Sequence, residues 1–138
     1  MQGITVKTKE KRDYYIGDVS LKKQKETDLK IKVQYSSINY KDALAVLGES
    51  KILKSYPMIP GIDAAGFVES SNTEDFPVGS KVLVNGSGFG ETRDGGFSQV
   101  LYAPENLLVK VPEEVSLEDC MCIGTAGYTA KLALHQLE

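Results

Sequence analysis

The alternation of residue types over one short segment narrows the fold of this chain more than any other feature. Across Leu29–Tyr35, apolar or aromatic side chains alternate with Lys30, Lys32 and Gln34. Because successive side chains of a strand point to opposite faces, this segment is predicted to bury one face of a sheet and to expose the other. That pattern is typical of an antiparallel sheet or an open barrel.

Further short strands and two helices are predicted around this segment. The strands lie at residues 4–7, 14–19, 62–69, 81–84, 97–103 and 106–111. Residues 40–47 follow the three-to-four spacing of a short helix, with Asn39 as its N-cap, Asp42 in its first turn and Gly48 at its end. A second helix is predicted to begin at Ser116. Glycine, with 13 residues, is frequent enough for many tight turns.

The same patterns predict which parts of these elements are buried. The first helix presents an apolar face formed by Tyr40, Ala43, Leu44 and Leu47. The second helix presents an apolar face formed by Ala126, Ala130, Ala133, Leu134 and Leu137. That second face needs a partner, much of which is expected to belong to a domain outside this sequence. Residues 51–55 are predicted to form an exposed loop.

Composition and charge argue against several classes of function. The net charge of −3 leaves no electrostatic footprint for nucleic acid. Neither a secretory signal nor an apolar run of membrane-spanning length is visible, so a cytoplasmic protein with no membrane partner is expected. Since His135 is the single histidine and is expected on the surface, a Ser-His-Asp or Cys-His hydrolase is hard to build. Cys120 and Cys122 are expected to be small, largely buried thiols.

Three features are candidates for a site, each with a structural alternative. The residues from Asn39 to Asp42 combine an amide, a phenol, an amine and a carboxylate at a strand-to-helix junction, where they either line a cleft or form an ordinary helix cap. Residues 86–96 are rich in glycine but lack a phosphate-binding fingerprint, so they either join two strands or line a substrate cleft. Asp63 lies among apolar and small residues and is predicted to accept hydrogen bonds from backbone amides.

Four motifs in order give the chain a family resemblance. They are Ser-Ile-Asn-Tyr-Lys-Asp at 37–42, Tyr-Pro-Met-Ile-Pro-Gly-Ile-Asp-Ala-Ala-Gly at 56–66, Asp-Gly-Gly-Phe-Ser at 94–98 and Gly-Thr-Ala-Gly-Tyr-Thr-Ala at 124–130. Together they resemble the N-terminal, GroES-like domain of medium-chain dehydrogenases/reductases. The similarity is greatest to the acrylyl-CoA reductase branch, whose members are also called quinone oxidoreductases. The resemblance implies a mainly β fold, a GroES-like, partly open β-barrel over residues 1–122. Residues 123–138 would then form the connecting helix to a Rossmann domain outside this sequence.

The resemblance also implies an activity for the complete protein. That activity is the NADPH-dependent reduction of an activated C=C bond, in an enone or an enoyl-CoA, or of a quinone. The complete protein is expected to be a homodimer, and the fragment alone is expected to be inactive. A GroES-like binding module with no catalytic activity of its own remains the alternative.

Site residues follow from the resemblance position by position. Zinc-dependent members carry a cysteine near Asn39 or Tyr40 and a Gly-His-Glu run where this chain has Gly-Ile-Asp at 61–63, so a zinc-free enzyme with no metal is expected. Tyr40 and Asn39 are the expected catalytic hydrogen-bond donors. Tyr40, Thr125 and Ala126 are expected to contact the nicotinamide end of the cofactor.

Overall fold

A computed structural model describes residues 1–21, 25–26, 28–48 and 51–137 of the chain. In chain order the elements are β1 (Gln2–Val6), β2 (Tyr14–Asp18), β3 (Leu29–Tyr35), α1 (Tyr40–Leu47), β4 (Asp63–Ser70), β5 (Lys81–Asn85), β6 (Val100–Ala103), a 3₁₀ turn (Glu105–Leu107), β7 (Val109–Lys110) and α2 (Leu117–Leu137). The fold is therefore mainly β with two helices, as predicted. Residue 138, the last of the predicted connecting helix, lies outside the described residues.

The strands form an open, antiparallel arrangement. Five of them make one sheet in the order β6-β3-β4-β5-β7, and β1 and β2 make a separate hairpin. Isolated bridges join this hairpin to the rest of the fold, from Gly3 to Ser98 and from Val6 to Met58. Within the described ranges β6 and β7 do not pair, so the sheet curves without closing. The prediction of a partly open barrel is confirmed.

The central strand β3 shows how the alternating pattern builds the core. Leu29 and Ile31 are buried, and Val33 is partly buried against the same cluster. Tyr35 departs from the pattern, because a register shift against β4 separates it from Val33, and its side chain is 45% exposed. The main cluster is completed by apolar side chains of the other strands and loops: Ala64, Val68, Phe76, Val82, Val84, Phe89, Leu101, Ala103 and Leu108.

Two smaller clusters attach the helices to the sheet. The first turns of α2 bury Leu117, Cys120 and Met121 against Ala65 and Val111. A third cluster joins Val6 of the hairpin to α1 and the loop after it through Ala45, Leu53 and Met58. Residues 51–55 were expected to form an exposed loop. This expectation is wrong for Leu53, whose side chain is buried between the hairpin and α1.

The structure corrects other expectations about burial. Tyr40 was expected on the buried face of α1, but it is 80% exposed, and the buried residues of that helix are Asp42 and Ala45. The helix therefore turns a carboxylate inward, where it binds backbone amides. Burial raises the pKa of the Cys120 thiol, but Cys122 is exposed, so the expectation of two largely buried thiols is wrong for Cys122.

Two predicted strands are shorter than expected. Residues 106–111 contain the end of the 3₁₀ turn, in which the Leu107 and Leu108 amides donate back to Pro104 and Glu105, so only β7 remains as strand. The segment 97–103 is regular only over β6. No helix among the described residues combines the length and the hydropathy needed to cross a bilayer.

Candidate functional site

A buried carboxylate at the start of β4 joins four parts of the chain. Asp63 is 0% exposed. Its Oδ2 accepts hydrogen bonds from Asn39 Nδ2 and from the backbone N–H of Thr125, both at 2.9 Å. Its Oδ1 accepts one from Asn85 Nδ2 at 2.9 Å and one from Thr125 Oγ1. The predicted acceptor role of Asp63 is confirmed, and three of its four donors are side chains that were not expected.

These hydrogen bonds set the charge of the site. Burial by itself raises the pKa of Asp63, but the donors of Thr125, Asn85 and Asn39 together outweigh it, so this pKa lies below its ordinary value. Asp63 is therefore ionised at neutral pH. Its negative charge meets the first amide of the helical segment after Gly124, the end at which a helix carries partial positive charge.

A second buried carboxylate fixes Asn39 from the other side. Asp42 Oδ2 accepts from the Asn39 backbone N–H at 2.9 Å and from its Nδ2 at 3.2 Å, while Oδ1 accepts from the Ile62 N–H at 2.9 Å. The Asn39 amide nitrogen therefore donates to both Asp42 and Asp63. Asn39 is the predicted N-cap of α1, and its side-chain donors are committed within the protein.

A break in α2 brings its second segment to Asp63. Gly124 has φ 53° and ψ −164°, so the helix is interrupted between residue 123 and Thr125. A side chain at Gly124 has no room, because a Cβ there would lie 2.6 Å from Ser37 Oγ and 2.9 Å from Asp63 Oδ2. Ser37 Oγ donates to the carbonyl of Met121 at 2.6 Å and so holds the first segment against the loop after β3. The family resemblance predicts a connecting helix over residues 123–138, but it did not predict this break within a longer helix.

Two grooves flank the loop between β3 and α1. The first, here called the junction groove, has a volume of about 380 Å³ and lies between this loop and α2. Its lining includes Ser37, Asn39, Cys122 and Ala126. Thr125 begins the helical segment beside it with its hydroxyl turned to Asp63. The structure thus brings together Asn39, Thr125 and Ala126, three of the four predicted site residues. Tyr40 follows Asn39 directly and exposes its phenol.

The second groove, here called the apolar groove, has a volume of about 540 Å³ and lies between the β1–β2 hairpin, the end of β3 and residues 96–99. It shares Tyr35, Ser36 and Ile38 with the junction groove. Sequence reasoning missed it, because its walls come from four segments that are far apart in the chain. No local sequence pattern predicts a groove that is built in this way.

The glycine-rich loop 86–96 serves to bring backbones together. The Gly95 and Gly96 amides donate to the carbonyls of Ile59 and Gly61 at 2.8 and 2.9 Å. A Cβ at Gly95 would lie 2.2 Å from the Gly61 carbonyl oxygen, so only glycine permits this approach. Glu91 of this loop also accepts a charged hydrogen bond from Lys41. These contacts explain Gly95 and Gly96 without a phosphate ligand.

Comparison with known proteins shows the family of the chain. The sequence profile described as the alcohol dehydrogenase GroES-like domain matches residues 25–113. Bacillus subtilis (strain 168) YhfP, whose name places it among the quinone oxidoreductases, is 48% identical over 108 residues, which are 78% of this chain and 33% of that protein. The acrylyl-CoA reductase AcuI of Ruegeria pomeroyi is 40% identical over 111 residues, 80% of this chain and 34% of that protein. The chain thus spans about a third of the length of the curated relatives it matches.

Solved structures agree with the sequence matches. The Salmonella enterica yhdH oxidoreductase in complex with NADP superposes with a TM-score of 0.91 at 38% identity, over 99% of this chain and 43% of that one. The Bacillus subtilis protein yhfP with NAD bound superposes with a TM-score of 0.89 at 39% identity, over 99% of this chain and 42% of that one. The architecture described above is therefore that of the matching part of these proteins.

Proposed function

The chain belongs to the family of alcohol dehydrogenase GroES-like domains, and we propose that it is the substrate-handling part of an NADPH-dependent oxidoreductase of the medium-chain dehydrogenase/reductase superfamily. The acceptor is the activated C=C bond of an enone or enoyl thioester such as acrylyl-CoA, or a quinone. The observation that carries this proposal is the Asp63 network, which joins the loop before α1 to residues 124–126. Those are the two segments in which the family resemblance places the site.

The junction groove suits the nicotinamide end of such a cofactor. Ala126, with its small side chain, lines the groove opposite Ser37 and Asn39 and leaves it open. When bound, a reduced nicotinamide supplies a hydride, and the protein supplies orientation and electrostatics. NADPH is proposed because relatives were solved with NADP or NADPH, and the NAD complex of yhfP makes NADH the comparison arm of the test.

Tyr40 is the proposed catalytic donor of this chain. Hydride transfer to a conjugated alkene or a quinone leaves negative charge on an oxygen of the acceptor, which a hydrogen-bond donor stabilises. The Tyr40 phenol is exposed beside the junction groove, and its O–H is a hydrogen-bond donor. It can therefore donate either to that oxygen or to the cofactor.

Asn39 and Thr125 are proposed to act by positioning. Both donate to Asp63, and Asn39 donates to Asp42 as well, so their donors hold the two walls of the groove together. In this arrangement Asn39 fixes the start of α1 and hence the direction of Tyr40. Thr125 fixes the first turn of the segment that carries Ala126.

The donor atoms at the site favour chemistry without zinc. Ile62 has no donor atom in its side chain, and both oxygens of Asp63 already accept two hydrogen bonds each. Among the described residues, no group of three or more His, Cys, Asp or Glu side chains is arranged to hold a metal ion. The proposed enzyme therefore stabilises charge with hydrogen bonds.

The proposed division of the chain is residues 1–122 for the GroES-like domain and 123–138 for a helix leading to a nucleotide-binding domain. Burial supports this boundary, because Met121 is the last large side chain of α2 that is buried in the described residues. A homodimer of the complete protein belongs to the same proposal, and analytical ultracentrifugation of that protein tests it.

The decisive experiment measures cofactor oxidation by the complete protein. The oxidation of NADPH and that of NADH are each followed by the loss of the absorbance of the reduced nicotinamide, with acrylyl-CoA and with a small quinone as parallel acceptors. We expect NADPH to be consumed with at least one acceptor. If neither acceptor supports oxidation and calorimetry detects no cofactor binding, the proposed enzyme is contradicted. The alternative, a GroES-like binding module with no catalytic activity of its own, then takes its place.

Replacing Tyr40 with Phe tests the catalytic assignment. The variant keeps the ring and removes the donor, so the rate should fall by roughly 100- to 1,000-fold in kcat, and kcat/KM with it, as for loss of one oxyanion donor. Tyr14→Phe, an exposed tyrosine of the hairpin, is the matched control and should leave kcat/KM unchanged. Equal kinetics and NADPH affinity for Tyr40→Phe and the control would remove Tyr40 from the mechanism.

A further inference from the structure

The walls of the apolar groove are mostly apolar. Ile4, Ile16, Val33 and Phe97 contribute apolar surface to its walls. The groove is built from the hairpin, the end of β3 and the loop before β6, and backbone bonds hold these parts in place. The Ile4 amide, for example, donates to the Phe97 carbonyl at 2.8 Å.

Four of the polar residues that line this groove, Gln2, Ser36, Ser98 and Gln99, bond to protein partners. Ser36 Oγ donates to the Gly96 carbonyl at 2.7 Å, and Ser98 Oγ donates to the Val100 carbonyl at 2.5 Å. Gln2 Nε2 donates to Asp18 at 2.8 Å, and Gln99 Oε1 accepts from the Gln2 amide at 2.9 Å. A polar ligand would have to break these bonds, whereas an apolar ligand leaves them intact.

The apolar groove continues into the junction groove. Both grooves are lined by Tyr35, Ser36 and Ile38. The Ile38 side chain is exposed where the two grooves meet. A molecule whose reactive end lies beside Asn39 and Ala126 can therefore extend across Ile38 toward Ile16. The chemistry changes along this path from hydrogen-bonding groups to apolar surface.

We infer that the apolar groove binds the apolar substituent of the acceptor, so that the enzyme prefers acceptors that carry an alkyl group on the conjugated system over the unsubstituted one. This inference rests on the proposed function, since it assigns the tail of a molecule whose reactive end occupies the junction groove. Ile16 and Ile38 are then specificity-determining residues. Complete burial of one methylene group raises affinity by about fourfold. Because the apolar groove is open to solvent, we expect about twofold to threefold per methylene group.

The experiment uses the complete protein and a series of N-acetylcysteamine thioesters. The acyl groups are acrylyl and its derivatives with a methyl, propyl or pentyl group at the β-carbon, and kcat/KM is measured for each with NADPH. The saturated counterparts, which cannot be reduced, are titrated by calorimetry. We expect affinity for the saturated series to rise with chain length.

Ile16→Asp introduces a charge into the groove wall at a position that is 68% exposed, so folding should tolerate it. The ratio of kcat/KM for the pentyl-substituted acceptor to that for the acrylyl thioester should fall about tenfold. Val78→Asp is the matched control, because Val78 is 67% exposed in a turn outside the groove. It should leave this ratio unchanged.

The two arms separate the failure of this inference from the failure of the proposed function. Calorimetric affinity that is independent of chain length, or a ratio that Ile16→Asp does not change, overturns the apolar groove while acrylyl reduction stands. A rise in affinity with chain length that Ile16→Asp abolishes, in a protein that reduces none of the acceptors, keeps the groove as an apolar binding site and overturns the reductase.

Discussion

The two halves of α2, before and after Gly124, have very different surroundings. Before Gly124, the side chains of Leu117, Cys120 and Met121 are buried against β4 and the segment after β7. After Gly124, the large apolar side chains Tyr128, Leu132, Leu134 and Leu137 are exposed. One half is therefore held by packing, whereas the other is held at its first residue by hydrogen bonds to Asp63.

This difference shows that helical pattern and helical burial are separate properties. An isolated helix of this length is marginal in water, and most helical stability in proteins comes from packing of an apolar face. Within these residues the second half gains its order from its N-terminal anchor. We therefore expect substitutions to lower the free energy of unfolding most at Asp63, less in the packed half and least in the exposed half.

The largest effect is expected at the anchor. Asp63→Ala removes the acceptor for Asn39, Asn85 and Thr125 and leaves buried donors without partners, so the free energy of unfolding should fall by about 3–5 kcal/mol. Urea denaturation followed by circular dichroism measures it. Asp75→Ala, at an exposed position, is the control and should change stability by less than about 0.5 kcal/mol.

A loss at Asp63→Ala no larger than that of its control would mean that packing, and not the buried carboxylate, holds the second half of α2. Amide hydrogen exchange adds a local measurement. Protection in residues 125–137 should fall in Asp63→Ala before protection in β3 and β4 does, because the exposed segment depends on Thr125 alone.

A pair of truncations compares the two halves directly. Met121→Ala should lower the free energy of unfolding by about 2–4 kcal/mol, because a buried side chain is lost and a cavity remains. Leu134→Ala removes an exposed side chain and should cost less than about 0.5 kcal/mol in the 138-residue chain. Equal costs would contradict the contrast between the halves. The same pair in the complete protein shows whether another part of that protein covers Leu134.

Local patterns in the sequence predicted much of the fold. The bounds of β3 and of α1 with its Asn39 cap agree with the structure, because alternation, helical spacing and capping are properties of neighbouring residues. Asp63 was predicted as an acceptor of hydrogen bonds from backbone amides, because a carboxylate among small apolar residues needs donors. The prediction did not identify Asn39, Asn85 and Thr125 as those donors.

The parts that were missed depend on contacts between distant segments. Tyr40 fits a helical apolar face by spacing, yet the inward position of that helix is taken by Asp42, which binds the Ile62 amide. The break at Gly124 depends on Ser37 and Asp63, which no local pattern relates to it. The apolar groove likewise exists only after the hairpin meets the loop before β6.

A smaller effect is expected from a side chain at the break itself. Gly124→Ala should destabilise the protein by about 2–3 kcal/mol, because the backbone conformation there strains other residues and the new Cβ would contact Ser37 Oγ and Asp63 Oδ2. Gly79→Ala separates the two causes, since Gly79 also has positive φ but an added Cβ meets nothing within 4 Å. It should cost only the strain, about 1 kcal/mol. A Gly124→Ala cost equal to that of Gly79→Ala would mean that the close contact is relieved without effect.

The smallest effect concerns acid, and its sign follows from the pKa of Asp63. Because hydrogen bonds place the folded pKa below the ordinary value of about 3.9, Asp63 stabilises the fold at pH values above that value. This contribution is lost as pH falls from about 4 through the folded pKa, because the unfolded carboxyl has the higher pKa and binds protons more readily than the folded one. Asp63→Asn has no carboxylate to titrate, so its free energy of unfolding, although lower at neutral pH, should fall less steeply than that of the unchanged protein below about pH 4. Parallel pH profiles for the two proteins, measured by urea denaturation, would assign the acid sensitivity to other carboxylates and contradict this role of the Asp63 charge.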